Sequence, residues 1–396
     1  MLLTFTPEQE ALRRTVEEFA ASEIVPIVRD MDRDERFPRR LVKAMADLGW
    51  LGGVIPAQYG GSDMDFKTVA MIVEELGRYS QPVAAVAGHL STAVGFGILR
   101  YGTDDQRQRF LGPAARGTAL AGVAITEPRS GSDVAGMQTR ARRVDGGWLV
   151  NGTKAWIDGA GDADWFITFA QTDPDKGKQG IVALVVERGM EGFTTTAYRD
   201  KLGWRPSAVG ELAFADCFVP DSNLIGQVGE GYRVAMTAVT YGRLLVASRL
   251  CGGIRCCLDA SVAYAKDRVV FGQPIGKFQL IQTKIVDMAL GLDNARFLTY
   301  RLAALLDAGE PARKEASMAK LYAAETMMRS ATDAVQIHGA YGISDEYPVA
   351  RMFRDAKVSE IVEGSNEIHR VLIAEYELGF RAAPGGAPAS SVPASG

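Results

Sequence analysis

Asp145-Gly-Gly-Trp-Leu-Val-Asn-Gly-Thr-Lys-Ala-Trp-Ile157 decides the fold. It sets β-branched and aromatic residues between two turn signals, Asp145-Gly146 and Asn151-Gly152, which is strand-and-turn grammar rather than helical periodicity. The same grammar begins near Ala121. Trp148–Val150, Trp165–Ala170, Ile181–Glu187 and Glu211–Phe214 are the predicted strands. No helical pattern alternates with them, which argues against a doubly wound parallel sheet, and an antiparallel β domain over 121–228 is expected. Gly226–Gly231 then reads as a loop, and Asn151-Gly152-Thr153 as a hairpin turn despite matching a glycosylation sequon.

Helical spacing governs the chain on either side. Thr6, Pro7 and Gln9 form an N-cap, a first-turn proline and a capping-box partner, followed by Leu12, Val16, Phe19 and Ala20 at helical spacing. Arg39–Leu48, Asp65–Leu76 and Asp104–Phe110 extend an all-helical N-terminal domain over 1–120. After the β domain, Tyr232–Lys266, Gln279–Ala308, Pro311–His338 and Glu360–Leu378 are long enough for a four-helix bundle over 229–381. Residues 382–396 are Pro, Gly, Ala, Ser and Val without charge, and disorder is expected there. The fold class is α+β: helical domain, antiparallel β domain, helical bundle.

With 396 residues and 47% hydrophobic content the chain can bury a large core. A net charge of −4 gives no global attraction to nucleic acid or an anionic membrane. The four cysteines suit neither a disulfide scaffold nor zinc, and His89, His338 and His369 fit no metal constellation, so no metal is expected. MLLTFTPEQEALRR lacks the features of a signal peptide, and a cytoplasmic location is expected. Tyr79–Leu99 is long and uncharged, but Gly88, His89, Ser91, Thr92, Gly95 and Gly97 interrupt it; it is read as a buried helix, not a membrane span.

A helix, sheet, helix plan suits a cofactor held between a β domain and a bundle. The loop Ala124-Ile-Thr-Glu-Pro-Arg-Ser-Gly-Ser-Asp133 gathers hydroxyls, small residues and backbone donors able to line a polar or anionic ligand, although read alone its residues favour an ordinary capped turn.

From about Phe5 to Phe380 the sequence resembles the acyl-CoA dehydrogenase family of flavoproteins. Ile55-Pro-Ala-Gln-Tyr-Gly-Gly61, the loop just quoted, Lys154-Ala-Trp-Ile157, Arg268-Val-Val-Phe-Gly272 with Gln279, Gln336-Ile-His-Gly-Ala-Tyr-Gly342, Arg354-Asp-Ala-Lys357 and Ile361-Val-Glu-Gly-Ser-Asn-Glu-Ile-His-Arg370 follow the family's order. The resemblance implies FAD, an acyl thioester substrate, an electron-transfer flavoprotein as acceptor, and a homotetramer.

It also implies roles residue by residue. Val123, Ile125 and Thr126 match the flavin's pyrimidine edge, and Gly131 and Ser132 lie in the same cofactor loop, Ser132 being shared with the thioester. Trp156 matches the aromatic covering a flavin face, with Asp158 beside it. Arg268, Phe271 and Gln279 match a segment reaching the FAD of a neighbouring subunit, and Gln336, Gly339 and Ala340 a dinucleotide-binding turn. Ser365 and Glu367 match further cofactor contacts. Thr240, Tyr241, Arg243 and Gly364 match the substrate channel. Glu363 matches the general base that removes the α-proton while a β-hydride leaves to the flavin; water exclusion raises the pKa of such a carboxyl.

Two departures stand out. Asp158 occupies a position usually held by Thr, where an ionised carboxylate disfavours electron arrival unless it is protonated or turned away. Thr240 stands where many relatives carry an acid, which leaves acyl carrier protein open beside CoA as the carrier. Gly242, the position of the base in some relatives, cannot deprotonate anything. Two rival readings follow: a same-fold oxidase or monooxygenase using O2, which Asp158 favours and Glu363 opposes, and a flavin-free scaffold, which the FAD motifs oppose.

Overall fold

Thr6 opens the first helix as its sequence dictates: its hydroxyl accepts from Gln9 N–H, and Gln9 Oε1 accepts from Thr6 N–H at 3.1 Å. The computed structural model describes residues 4–381. The tail expected to be disordered, 382–396, lies outside the described residues. N-terminal helices are α1 (Pro7–Phe19), α2 (Val28–Arg33), α3 (Arg39–Asp47), α4 (Phe66–Gly77), α5 (Gln81–His89), α6 (Gly95–Tyr101), α7 (Asp104–Gln106) and α8 (Gly112–Ala115). A π-helical turn, Leu90–Val94, joins α5 to α6 into one apolar rod, Gln81–Tyr101. That rod passes a length and hydropathy test for a membrane span, yet 78% of its most apolar window is buried against the rest of the fold.

One eight-stranded sheet follows: β1 (Ala121–Ala124), β2 (Arg140–Val144), β3 (Gly147–Ile157), β4 (Trp165–Gln171), β5 (Ile181–Glu187), β6 (Phe193–Ala197), β7 (Gly210–Pro220) and β8 (Leu224–Ile225), in the order β6-β7-β3-β2-β4-β5-β8. It is antiparallel except at one edge of β4. There β1 pairs parallel with residues 165–168 and β2 parallel at Gln171. Because β1 and β2 lie end to end on that edge, the segment joining them, 125–139, is forced off the sheet. This is how the fold makes a loop for a ligand.

The strands differ from expectation in extent. β3 and β7 run well past 148–150 and 211–214, and Asn151-Gly152 is no hairpin turn. It lies inside β3, opposite β7, where the register shifts between Val150 and Gly152. Gly152 has φ +141°, and a Cβ there would come within 2.7 Å of Thr139 Cα, so the glycine is a bulge residue at a close backbone approach. Asp145-Gly146 does make the β2–β3 turn.

The bundle comprises α9 (Gly231–Asp267), α10 (Gln279–Asp307), α11 (Arg313–His338), α12 (Pro348–Ser359) and α13 (Asn366–Glu377), with a small hairpin of β9 (Val269–Val270) and β10 (Gln273–Pro274) before α10. The expected helix Glu360–Leu378 is broken. Glu363 (φ +55°) and Gly364 (φ +95°) are left-handed, and Ser365 caps a new helix by accepting from Ile368 N–H. Periodicity carried the prediction across a stop-and-start signal. The α4 and α9 helices pack together, and one hydrophobic core runs from the N-terminal helices into the bundle. A second joins one sheet face to α6 and the start of α9, and a third covers the other face.

Candidate active site

The loop 125–139 is held by a buried ion pair. Lys154 Nζ, fully buried on β3, donates to Glu127 Oε1 at 2.8 Å and to Ile125 O at 3.0 Å. Glu127 also accepts from Gln138 N–H at 2.5 Å and Thr139 N–H at 2.9 Å, so one carboxylate closes the loop on itself. Burial lowers Lys154 to about 8 against the opposing pull of Glu127. Burial pushes Glu127 up, but Lys154 and its hydrogen-bond donors outweigh it and the carboxyl stays below its ordinary value. Val123 sits in β1 beside Ile167, Ile125 and Thr126 lie just beyond it, and Gly131 and Ser132 stand exposed at the tip.

Trp156 occupies an irregular stretch of β3 between Lys154 and Ile157, with φ +59° and 66% of its surface exposed. Tyr198 meets its ring edge-on at 4.9 Å. A bare indole held in a strained backbone beside a polar loop suits a planar ring stacked on it. Asp158 turns toward Ser207, whose Oγ donates to its Oδ1, and shares a cavity with His89, Leu90, Ala121 and Asp162. Burial and the neighbouring Asp158 raise Asp162 to about 6.

Opposite, the α12–α13 turn carries Glu363. Its carboxyl lies over α9, where a Cβ on Gly242 would meet Glu363 Cδ at 2.8 Å. Burial raises this carboxyl to about 7, against Arg243, Lys320 and Arg249, which pull it down. Arg243 Nε donates to Glu363 O at 3.4 Å and Arg243 Nη1 to Ser317 Oγ at 3.0 Å; Lys320 Nζ donates to Gly364 O at 2.8 Å and Asn366 Oδ1 at 3.1 Å. Two cations thus clamp the turn. Glu363 N–H has no backbone acceptor among the described residues.

Of the remaining predicted residues, Thr240 Oγ1 donates to Met236 O of its own helix, and Tyr241 stacks on Phe96 at 3.8 Å inside the core. Glu367 is exposed on the first turn of α13. Arg268 and Phe271 project from the β9–β10 hairpin, Gln279 opens α10, and Gln336, Gly339 and Ala340 sit exposed at the end of α11. Phe271 is 94% exposed with φ +49°. Within one chain these six are not brought to Glu363. Glu127, Ser317 and Lys320 were missed as site residues. The signal for Lys320 was present: a lysine flanked by Ala316, Ser317, Ala319, Ala323 and Ala324 lies on a small-residue, buried helix face.

A bundle carboxyl of raised pKa, an exposed tryptophan and an anchored polar loop on the β domain suit an α+β enzyme that binds a planar cofactor. Three domain families match the chain: acyl-CoA dehydrogenase N-terminal domain over 6–118, middle domain over 122–217 and C-terminal domain over 229–378. An acyl-CoA dehydrogenase of Bacillus subtilis (strain 168) is 41% identical over 375 residues, 94% of this chain and 99% of that protein. The solved butyryl-CoA dehydrogenase of Megasphaera elsdenii superposes with a TM-score of 0.92 at 37% identity, covering 96% of this chain and 100% of that one. A solved chain described as electron transferring flavoprotein of Acidaminococcus fermentans gives a TM-score of 0.93 at 36% identity, covering 96% and 100%. The chain belongs to the acyl-CoA dehydrogenase family, FAD-dependent oxidoreductases acting on acyl thioesters.

Proposed function

We propose that Glu363 is the general base for α,β-dehydrogenation of a saturated acyl thioester. The observation that carries this reading is its carboxyl seated over Gly242 with a pKa raised to about 7, matched to a weak carbon acid near neutral pH. Glu363 Oε takes the α-proton and holds it. Its N–H, left without a backbone partner, donates to the thioester oxygen and stabilises the developing enolate. Arg243 and Lys320 fix the turn so that carboxyl and N–H keep their relative positions. Bound FAD supplies the acceptor for the β-hydride, so the substrate leaves as the enoyl thioester with its electron pair and proton accounted for.

Val123, Ile125, Thr126, Gly131, Ser132, Trp156 and Asp158 hold the flavin and upper cofactor in this reading. Arg268, Phe271, Gln279, Gln336, Gly339 and Ala340 serve the cofactor across a subunit boundary, with Ser365 and Glu367 completing the contacts. A homotetramer supports that arrangement, since the exposed Phe271 hairpin has nothing to serve in its own chain. Thr240, Arg243 and Gly364 lie along the substrate channel, electrons pass to an electron-transfer flavoprotein, and the enzyme works in the cytoplasm. The units 1–120, 121–228 and 229–381 divide this labour.

The test is anaerobic mixing of the yellow holoenzyme with saturated acyl thioesters on CoA and on acyl carrier protein. Bleaching is expected, and Glu363→Gln should keep FAD but not bleach. Bleaching by that variant at the unaltered rate overturns the base assignment. Rapid reoxidation in air with stoichiometric peroxide would instead favour an oxidase.

A further inference from the structure

Arg249 is 2% exposed in the middle of α9, yet it forms no ion pair with any Asp or Glu among the described residues. Its Nη1 donates to two neutral acceptors, Gln81 Oε1 at 2.8 Å and Ser359 Oγ at 3.0 Å. The guanidinium carbon lies 4.4 Å from the centre of the Trp204 ring. Asp355, the carboxylate that most supports its charge, is already engaged by Trp204 N–H at 2.6 Å. Removing an arginine from water without a counter-charge is costly, and such groups are normally paired.

Its position relates this charge to the chemistry. Gly242, Val246 and Arg249 fall at i, i+4 and i+7, one stripe of α9. Seven residues advance the helix by roughly 10 Å while turning it back to nearly the same face. The stripe thus begins under the Glu363 carboxyl and ends at Arg249, whose guanidinium reaches Ser359, four residues before Glu363. From the other side, Trp156 meets Tyr198, and Tyr198 packs in one apolar cluster with Ala85, Trp204 and Val209, which brings the same path to Arg249. The charge of Arg249 is felt by both Glu363 and Asp158.

Resting on the thioester dehydrogenase reading above, we infer that Arg249 is a specificity residue that binds the distal carboxylate of the acyl group, so that the preferred substrate is the monothioester of a short dicarboxylic acid. A carboxylate arriving along the α9 stripe meets the guanidinium edge not used by Gln81 and Ser359 and supplies the missing counter-charge through charge-assisted hydrogen bonds. Arg243, Lys320 and Arg249 all act on the Glu363 carboxyl, and with Asp355 tied to Trp204 N–H and Asp158 to Ser207 the cationic side chains around the base outnumber its own carboxyl. That imbalance favours an anionic acyl group over a plain alkyl chain.

The experiment compares flavin reduction in the holoenzyme by succinyl-, glutaryl- and adipyl-CoA with butyryl-, valeryl- and hexanoyl-CoA. Binding is read separately, by calorimetry on the Glu363→Gln holoenzyme, which cannot turn over. At least one diacid thioester should exceed its monoacid counterpart about tenfold or more in kcat/KM and in affinity, and Arg249→Gln should collapse that ratio by about tenfold, with Arg249→Lys between. A wild-type preference for the monoacids, or a ratio unmoved by Arg249→Gln, overturns the inference while leaving the dehydrogenase reading intact. Failure of every thioester to reduce the flavin sinks that reading and this inference with it.

Discussion

The carboxyl group of Glu363 rests on the bare backbone of Gly242: a methyl group there would lie 2.8 Å from both Cδ and Oε1 and 3.0 Å from Oε2. The glycine is the floor on which the base stands. The same contact explains why the other candidate position for a base fails in this chain, since two side chains cannot fill one space.

Gly242→Ala therefore displaces the carboxyl while leaving its turn in place, because the clash falls on the free end of a side chain. Displacement by about an ångström costs roughly a hundredfold in rate when it misaligns a reacting group. FAD content and the unfolding midpoint should stay near wild type while kcat falls by about that factor. Activity within threefold of wild type would mean that the carboxyl acts from another position.

The pH profile follows from burial. The base must be ionised, and burial raises Glu363 to about 7 against three cations, so kcat/KM should climb with pH through a midpoint near 7. Lys320, itself lowered to about 7 by burial first and by Arg249 next, titrates in the same range, and the observed midpoint belongs to the coupled pair. Lys320→Met removes a cation that favours the ionised carboxyl, so the rising limb should move to higher pH by about a unit. A purely structural lysine would lower activity at every pH without moving the limb.

Sequence alone carried the architecture where patterns are local and strong. Ile181–Glu187 and the first three long helices of the bundle have nearly the extents that their periodicity sets, and the Thr6 capping box forms as read. What escaped depends on partners distant in sequence. β2, Arg140–Val144, is arginine-rich and gives no apolar run, and it becomes a strand because β3 and β4 flank it. Glu127 and Lys154 are unremarkable until folding buries both together. The ring contacts of Tyr241 with Phe66 and Phe96 likewise join residues far apart in the chain, which no local pattern announces.

That buried pair sets a stability prediction. Lys154→Met strands the Glu127 carboxylate in the interior, and breaking such a pair from one side costs about 3–5 kcal/mol. Denaturant unfolding should show a loss of that size, accompanied by weaker FAD retention because the 125–139 loop loses its tie. A variant as stable as wild type, with full flavin content, would show that the backbone N–H donors to Glu127 hold the loop by themselves.

Asp158 places a carboxylate next to Trp156, and Ser207 holds it by hydrogen bonding to Oδ1. Asp158→Asn preserves the shape and removes the charge. An electron pair arriving on the cofactor would then meet less repulsion, and the reduction potential should rise by some tens of millivolts, the size expected of one partly screened charge nearby. An unchanged potential would mean that the Ser207 contact and His89 side of the cavity already hold the charge out of reach of the cofactor.

Phe271 tests whether the site is completed by a second copy. A phenylalanine 94% exposed at a hairpin tip, with φ +49° and the edge of Phe278 beside it, is poorly placed for a chain acting alone. Leu280, 82% exposed on the adjoining turn of α10, continues the same apolar surface. If a partner covers this surface and the hairpin reaches that partner's cofactor, Phe271→Asp should weaken both association and FAD binding. Sedimentation should then give a smaller species, and the flavin should wash out on gel filtration. A variant that keeps its mass but loses flavin assigns Phe271 to the cofactor alone, and one that keeps both refutes its role at the subunit boundary.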